Sequence, residues 1–197
     1  MNRLRAFVLL VSLVMASSAT AATRYGVSFG STLGVNGSPG KGGASVALSA
    51  AVPIEDGDWR FGLSLFAADQ GTAFTDLRDR NDGSLLGTVG DVHRWTYGAE
   101  WLGTKRVLAS RHWDWDGGLG FGWLRQEMDR RGSVNEAVSG ATFSVHSVLS
   151  RPVANGQRLG LALGWRRAIL RTAADPGRST QWATAGLEWH WQRTPKE

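Results

Sequence analysis

Apolar and polar residues alternate along most of this chain, and the last alternating stretch shows the pattern most clearly. In residues 183–191 the apolar positions are Ala183, Ala185, Leu187, Trp189 and Trp191, and the positions between them are Thr184, Gly186, Glu188 and His190. Successive side chains of a β-strand point to opposite faces, so this stretch predicts a strand with one apolar face and one polar face.

The same alternation predicts seven further strands upstream. The eight strands span residues 24–33, 45–52, 59–65, 95–102, 112–123, 142–149, 158–166 and 184–191. Shorter connections lie at 53–58, 103–111 and 154–156, with Val107 and Leu108 available to extend a flanking strand. Longer polar stretches without a sustained period predict loops at 35–43, 69–91, 128–140 and 170–180. Long and short connections therefore alternate, as in an up-and-down meander.

The apolar faces carry most of the tryptophans, whereas glycines and charged residues fall on the polar faces. A soluble β-sandwich or lipocalin-like barrel would have to bury the tryptophan face. A barrel wall in lipid has its apolar side chains outside and its polar side chains inside. The lipid-embedded barrel is favoured because its aromatic side chains then form two belts, where membrane interfaces lie. One belt contains Tyr25, Trp59, Trp101, Trp113, Trp115, Trp189 and Trp191, and the other contains Trp95, Tyr97, Trp123, Phe143 and Trp165.

The predicted fold is therefore all-β: an eight-stranded antiparallel up-and-down transmembrane β-barrel. A tilted strand of roughly nine to eleven residues crosses a bilayer. Closing the sheet pairs backbone groups that lipid could not satisfy. An even number of strands also places both ends of the sheet at the end that carries the short turns.

The N-terminus predicts export. Arg3 and Arg5 precede an apolar run, and small residues spaced A-x-A follow it, so residues 1–22 are interpreted as a signal peptide and 23–197 as the barrel domain. Of 22 basic residues, 20 remain after this removal, against 17 acidic residues. This mild, dispersed excess does not indicate a nucleic-acid partner. With no cysteine, a disulfide framework and a lipoprotein anchor are excluded.

Thr184, Gly186, Trp189 and Trp191 give the order polar-x-Gly-x-x-aromatic-x-aromatic. This order resembles the C-terminal signal of outer-membrane β-barrels, and the mature chain is similar to the small eight-stranded class of the OmpA transmembrane domain, OmpX and OmpW. The resemblance implies the outer membrane of a Gram-negative cell, with short periplasmic turns and longer extracellular loops. It also implies recognition by periplasmic chaperones and by the barrel assembly machinery.

The inward-facing charges gather toward the periplasmic half of the predicted barrel. They are Arg24, Arg60, Glu100, Asp114, Asp116, Arg158 and Glu188, with His112 and His190 at the rim. Arg60 and Glu100 are expected to pair across neighbouring strands, and Arg158 and Glu188 are expected to lie at matching heights. Since charges in a narrow interior must be paired, these residues predict a plug of ion pairs. A narrow ion pore whose pairs exchange partners is the alternative.

A lipid A-modifying enzyme is the second class considered, with His146 as its centre. Ser144 and His146 share a face, but Ser147 lies on the other. The barrel lipid A deacylases carry His-x-Ser on a lipid-facing strand, whereas Val148 stands two places after His146 here. His112-x-Asp114 and Glu188-x-His190 specify no third metal ligand. We therefore predict a non-enzymatic protein without metal or cofactor.

Arginines cluster at the extracellular ends of the predicted strands and in the loops. Guanidinium binds phosphate bidentately, so these side chains predict contacts with lipopolysaccharide phosphates. The residues are Arg125, Arg130, Arg131, Arg167, Arg171 and Arg178. The stretch 69–91 is interpreted as an exposed loop that could contact an unknown surface ligand.

Overall fold

The structure, a computed structural model, describes residues 23–34, 43–54, 58–78, 85–130, 136–171 and 178–192. The predicted signal peptide and Arg131 lie outside these ranges. Within them, no helix is long and apolar enough to cross a bilayer.

The described residues form eight β-strands that close into one barrel, as the alternation predicted. The strands are β1 (Arg24–Gly34), β2 (Ala44–Ile54), β3 (Trp59–Arg78), β4 (Leu85–Ala109), β5 (Asp114–Arg130), β6 (Glu136–Ala154), β7 (Gln157–Arg171) and β8 (Arg178–Gln192). Each strand pairs antiparallel with its neighbours in sequence, and β8 pairs with β1. We call the end where β1 begins and β8 ends the turn end, and the opposite end the loop end.

The pairing register fixes the width of the barrel. Following paired residues once around the wall from Arg24 leads back to β1 at Gly34, ten residues further along that strand. The path passes through Ala51, Gly62, Leu102, Gly120, Ser144, Arg166 and Trp182. This stagger requires strongly tilted strands, and eight of them leave an interior that side chains alone can fill.

The loop predicted at 69–91 is wrong for most of its length. β3 and β4 have 20 and 25 residues and stay paired from Asp69 with Trp95 to Arg78 with Leu85, with three irregularities in register. The expected loops at 128–140 and 170–180 are likewise shortened by β5, β6, β7 and β8. A hairpin that projects beyond the membrane has water on both faces, so its sequence need not alternate. At the turn end, the connection predicted at 103–111 is wrong for most of its length, because β4 runs through Val107 and Leu108 to Ala109.

The outer face of the barrel is apolar and exposed. Phe121 and Leu163, on β5 and β7, are 63% and 61% exposed. A surface with many such residues faces hydrocarbon rather than water. Of the predicted belts, Tyr25 differs in being only 7% exposed, because it stacks on Trp191 with 5.7 Å between ring centroids. Trp101 lies eight residues from the end of β4, so it is partway along the strand rather than at the rim of the barrel.

Glycines on the inner face make room for larger polar groups. A Cβ atom on Gly118 would collide with the ring of His146, and one on Gly120 would collide with Ser144 Oγ. Both glycines lie on β5, directly opposite these β6 residues. The glycines of β5 therefore leave space on the inner face for the polar side chains of β6.

Candidate functional site in the barrel lumen

The turn end of the lumen is organised around Asp116. Arg24 Nη1 donates to Asp116 Oδ2 at 2.5 Å. Arg60 Nη1 lies 3.6 Å from Asp116 Oδ1, and Arg106 Nε lies 4.0 Å from the same oxygen. Asp116 and Arg60 are buried, with side chains 5% and 7% exposed. Three guanidiniums from β1, β3 and β4 thus converge on one β5 carboxylate, across the barrel as well as along its wall.

Asp114 is a second carboxylate at this end. Arg158 Nη2 lies 3.1 Å from Asp114 Oδ2, and Arg106 Nε lies 3.8 Å from it. Arg158 also donates from Nε to Ser150 Oγ at 3.2 Å and from Nη2 to the Ser150 carbonyl oxygen at 3.3 Å. Arg158 therefore lies with Asp114 rather than beside Glu188. The register pairs Arg158 with His190, which places Glu188 two residues further into the wall.

Glu188 joins this network through His190. The Nε2 atom of His190 lies 2.5 Å from Glu188 Oε1, and Arg24 contacts the His190 ring. Arg24 consequently connects the Asp116 group to the Glu188 group.

A separate ion pair lies deeper in the lumen. Glu100 is 1% exposed, and its carboxylate accepts hydrogen bonds from Arg166 Nε at 3.1 Å, Thr142 Oγ1 at 3.2 Å and Ser144 Oγ at 3.0 Å. The Arg166 guanidinium lies over the Phe66 ring, 4.2 Å from its centroid. The expected pair of Arg60 with Glu100 is wrong. The register places Arg60 opposite Thr104 and Glu100 opposite Ser64, so the two side chains lie four residues apart along the wall.

Apolar side chains fill the lumen between this pair and the loop end. We call this cluster the apolar plug. It consists of Phe66, Leu124, Val138, Ala168, Leu170 and Trp182. Beside it, Gln126 Nε2 donates to Gln70 Oε1 at 3.2 Å, and Gln70 Nε2 donates to Thr96 Oγ1 at 3.0 Å. The lumen is therefore polar toward the turn end and apolar toward the loop end.

His146 faces the lumen and not the lipid. It helps to line a cavity of about 110 Å³, together with Arg24, Arg60, Arg166, Glu188 and His190. Its neighbour Ser144 donates to Glu100, while Ser147 faces outward and accepts a hydrogen bond from Trp115 Nε1 at 2.7 Å. A lipid acyl chain on the outer wall has no access to the imidazole. Among the described residues, no group of three or more potential ligands could hold a metal ion.

Two of the predicted phosphate-binding arginines have described side chains, and both face outward near the loop end. Arg125 Nε lies 3.3 Å from Glu127 Oε1, which also accepts from the Tyr97 hydroxyl at 2.8 Å. Arg167 is exposed. The backbones of Arg130, Arg171 and Arg178 end β5, end β7 and begin β8, and their side chains are not among those described.

No protein-family model and no curated protein matches this chain. Solved structures do match. Neisserial surface protein A superposes with a TM-score of 0.58 at 11% identity, covering 87% of this chain and 96% of its own. A major outer membrane protein from Thermus thermophilus gives 0.52 at 12% identity, with 87% and 100% covered. Ail of Yersinia pestis gives 0.50 at 11% identity, with 88% and 100% covered.

The chain has the fold of the small outer-membrane β-barrels. Its exposed apolar wall and this fold together place it in the outer membrane. In such barrels the short turns are periplasmic and the long connections extracellular. The turn end is therefore the periplasmic end, and the loop end is the extracellular end.

Three lumen residues were missing from the predicted site. Arg166 lies an even number of residues after Arg158 on β7, so the alternation places both side chains on the inner face. Arg106 was assigned to a turn because the sequence does not show how far β4 extends. Trp182 precedes the predicted last strand, so the alternation does not assign it an inward position.

Proposed function

We propose that this protein is a non-enzymatic surface-interaction protein of the outer membrane, with a plugged barrel as its anchor. The observation that carries the proposal is the paired extension of β3 and β4 beyond the barrel. We call residues 72–78 and 85–91 the arm.

The arm offers a backbone surface to the outside of the cell. β2 pairs with β3 only as far as Ala68, and β5 pairs with β4 only as far as Val92. Within the described part of the chain, both outer edges of the arm thus have no strand beside them. The seven residues of β3 in the arm span roughly 20 Å along the strand. Unpaired strand edges present rows of N–H and C=O groups that an extended segment of a partner can pair with.

The lumen arrangement supports anchoring rather than transport. A solute entering from the periplasm meets the Glu100–Arg166 pair and then the apolar plug. Burying an unpaired ion against such side chains is costly. The inward position of His146 likewise supports a non-enzymatic role. Unchanged lipid A acylation and a silent planar bilayer are the expected results, whereas an acyl pattern that depends on His146 would overturn this role.

Arginines near the extracellular ends of the strands support a second contact, with lipopolysaccharide. Arg125 faces outward two residues beyond the exposed Trp123 on β5, and Arg167 faces outward on β7 opposite Phe143, both toward the extracellular end. Ail, which has a similar fold, has been solved in complex with the heparin analogue sucrose octasulfate, a polyanion. In this chain we infer that the two guanidiniums bind lipid A phosphate groups.

An arm deletion tests the first contact. Residues 72–91 are replaced by Asn-Gly, and heat-modifiable gel migration verifies that the barrel still folds. Cells displaying the full chain should adhere to cultured epithelial cells, and cells displaying the shortened chain should lose that adhesion. Equal adhesion of the two strains, or none with the full chain, would refute a role for the arm.

Binding to lipopolysaccharide is tested separately with the Arg125→Gln/Arg167→Gln double variant. Native mass spectrometry in detergent should show retained lipid A on the wild-type barrel and several-fold less on the double variant. Monophosphorylated lipid A should bind more weakly than the bisphosphorylated form. Equal retention by both barrels would exclude these arginines as the phosphate ligands.

A further inference from the structure

A groove opens on the outside of the barrel at its periplasmic end, where the β4–β5 turn meets the end of β6. Its volume is about 540 Å³, and it is lined by His112, Trp113, Arg151, Pro152 and Val153. The pairing of Asp114 with Ser150 brings Trp113 beside Arg151 on the adjacent strand. Trp113 is 45% exposed, so its indole is open to the surroundings.

The turn that carries Trp113 has a defined shape. Ser110 Oγ donates to the Trp113 carbonyl oxygen at 2.7 Å, and the Trp113 amide donates to Ser110 Oγ at 2.9 Å. The Ser110 amide donates to the same carbonyl oxygen at 2.9 Å. These three hydrogen bonds fix the backbone that presents the indole, so one side of the groove is preorganised.

The groove lies at the boundary between hydrocarbon and headgroups. Immediately further into the wall, Trp115 pairs with Leu149, and both are apolar and exposed. On the other side of the groove, the turn residues Ser110 to His112 are polar and exposed. A molecule in the groove therefore has its polar part at the turn and its apolar part along Trp115 and Leu149.

The charge of the groove selects an anion. Arg151 is exposed and has no hydrogen-bond or ion-pair partner among the described residues. Lys105, an outward cation near the same end, already lies over the Trp59 ring at 5.3 Å from its centroid, and the exposed Arg111 lies in the turn that adjoins the groove. The described residues that line the groove include no carboxylate, so it has no counterpart for an ammonium headgroup.

We propose that this groove binds an anionic phospholipid of the periplasmic leaflet, such as phosphatidylglycerol. The Arg151 guanidinium binds the phosphodiester, the Trp113 indole lies at the glycerol level, and the acyl chains follow Trp115 and Leu149. This site faces the leaflet opposite to the lipopolysaccharide contacts of Arg125 and Arg167, and it stands independently of the proposed surface function.

Native mass spectrometry of the folded barrel in detergent tests this site. The barrel is titrated with phosphatidylglycerol and with phosphatidylcholine carrying the same acyl chains. The wild-type protein should retain phosphatidylglycerol preferentially, and Arg151→Gln should reduce that retention about fivefold, the effect of one basic residue at an anionic surface. Arg151→Lys should retain an intermediate amount because it keeps the charge but not the bidentate geometry.

Lys105→Gln is the matched control, since it removes an exposed outward cation from the same end of the barrel, one that lies over Trp59 and does not line the groove. It should leave phosphatidylglycerol retention unchanged, with heat-modifiable migration verifying folding of every variant. Equal retention of the two lipids by the wild type, or an equal loss in the two glutamine variants, would overturn the proposal. Soluble glycerophosphoglycerol binding as tightly as the lipid would overturn the assignment of a lipid ligand.

Discussion

Replacing Glu100 with glutamine should destabilise the barrel, because it leaves the buried charge of Arg166 unpaired. The substitution keeps the size of the side chain and one acceptor oxygen, but it removes the charge that faces Arg166. Arg166 Nε and Nη2 lie 3.1 and 3.2 Å from the carboxylate oxygens, and its side chain is 16% exposed. Because the guanidinium also stacks on Phe66, it cannot turn freely to water.

Removing one partner of a buried ion pair costs about 3–5 kcal/mol, because the other charge is left uncompensated. Glutamine retains one acceptor for the Thr142 and Ser144 hydroxyls, so we expect a loss of about 3 kcal/mol in the free energy of unfolding, the lower end of that range. Urea titration in phospholipid vesicles, followed by tryptophan fluorescence and heat-modifiable migration, measures this loss.

A double-mutant cycle identifies the partner. Glu100→Gln combined with Arg166→Met should cost less than the sum of the two single changes, since no buried charge then remains unpaired. Glu100→Gln combined with Arg60→Met should be additive within about 0.5 kcal/mol, as expected for residues that do not touch. A loss below about 1 kcal/mol for Glu100→Gln, or coupling to Arg60 rather than Arg166, would refute this reasoning.

Three further changes probe the rest of the lumen by the same urea titration. Gly120→Ala should lower the free energy of unfolding by about 1–3 kcal/mol, because the added Cβ overpacks the inner face. Gly103→Ala should lower it little, because its added Cβ would meet its nearest atom at 4.0 Å. Equal losses for the two variants would contradict a tightly packed inner face. Trp182→Ala should cost about 3–5 kcal/mol by emptying the apolar plug, whereas the lipid-exposed Trp123→Ala should cost less. Asp116→Asn should cost at least about 3 kcal/mol, since it leaves several guanidiniums without their carboxylate, and an unchanged midpoint would show that this network is dispensable.

The strands of the barrel could be predicted because their two faces meet different surroundings. On β7, for example, Leu161 and Leu163 face lipid while Gly160 and Ala162 face the lumen, so large apolar and small residues alternate along the sequence. The two faces of the arm do not meet different surroundings, so its sequence does not alternate and predicts a loop. The sequence therefore shows where a strand crosses the membrane better than where the strand ends.

The lumen charges could be placed on the inner face, but their partners could not. Partners depend on the stagger between strands and on the reach of arginine across a narrow interior. Arg24 and Asp116 lie on β1 and β5, and Glu100 and Arg166 lie on β4 and β7. Neither pair joins neighbouring strands, so reasoning from adjacent strands pointed to Arg60 and Glu100 instead.

Eleven paired positions join the first strand to the last, from Arg24 with Gln192 to Gly34 with Trp182. These partners come from the first and last described strands, so the seam is the strand contact of greatest sequence separation and cannot form until β8 has been synthesised. A chain that stops before residue 178 keeps two open strand edges, and each unsatisfied amide in hydrocarbon costs several kcal/mol. Stable insertion thus requires β8, and a chain without this strand should not persist as a closed barrel in the membrane.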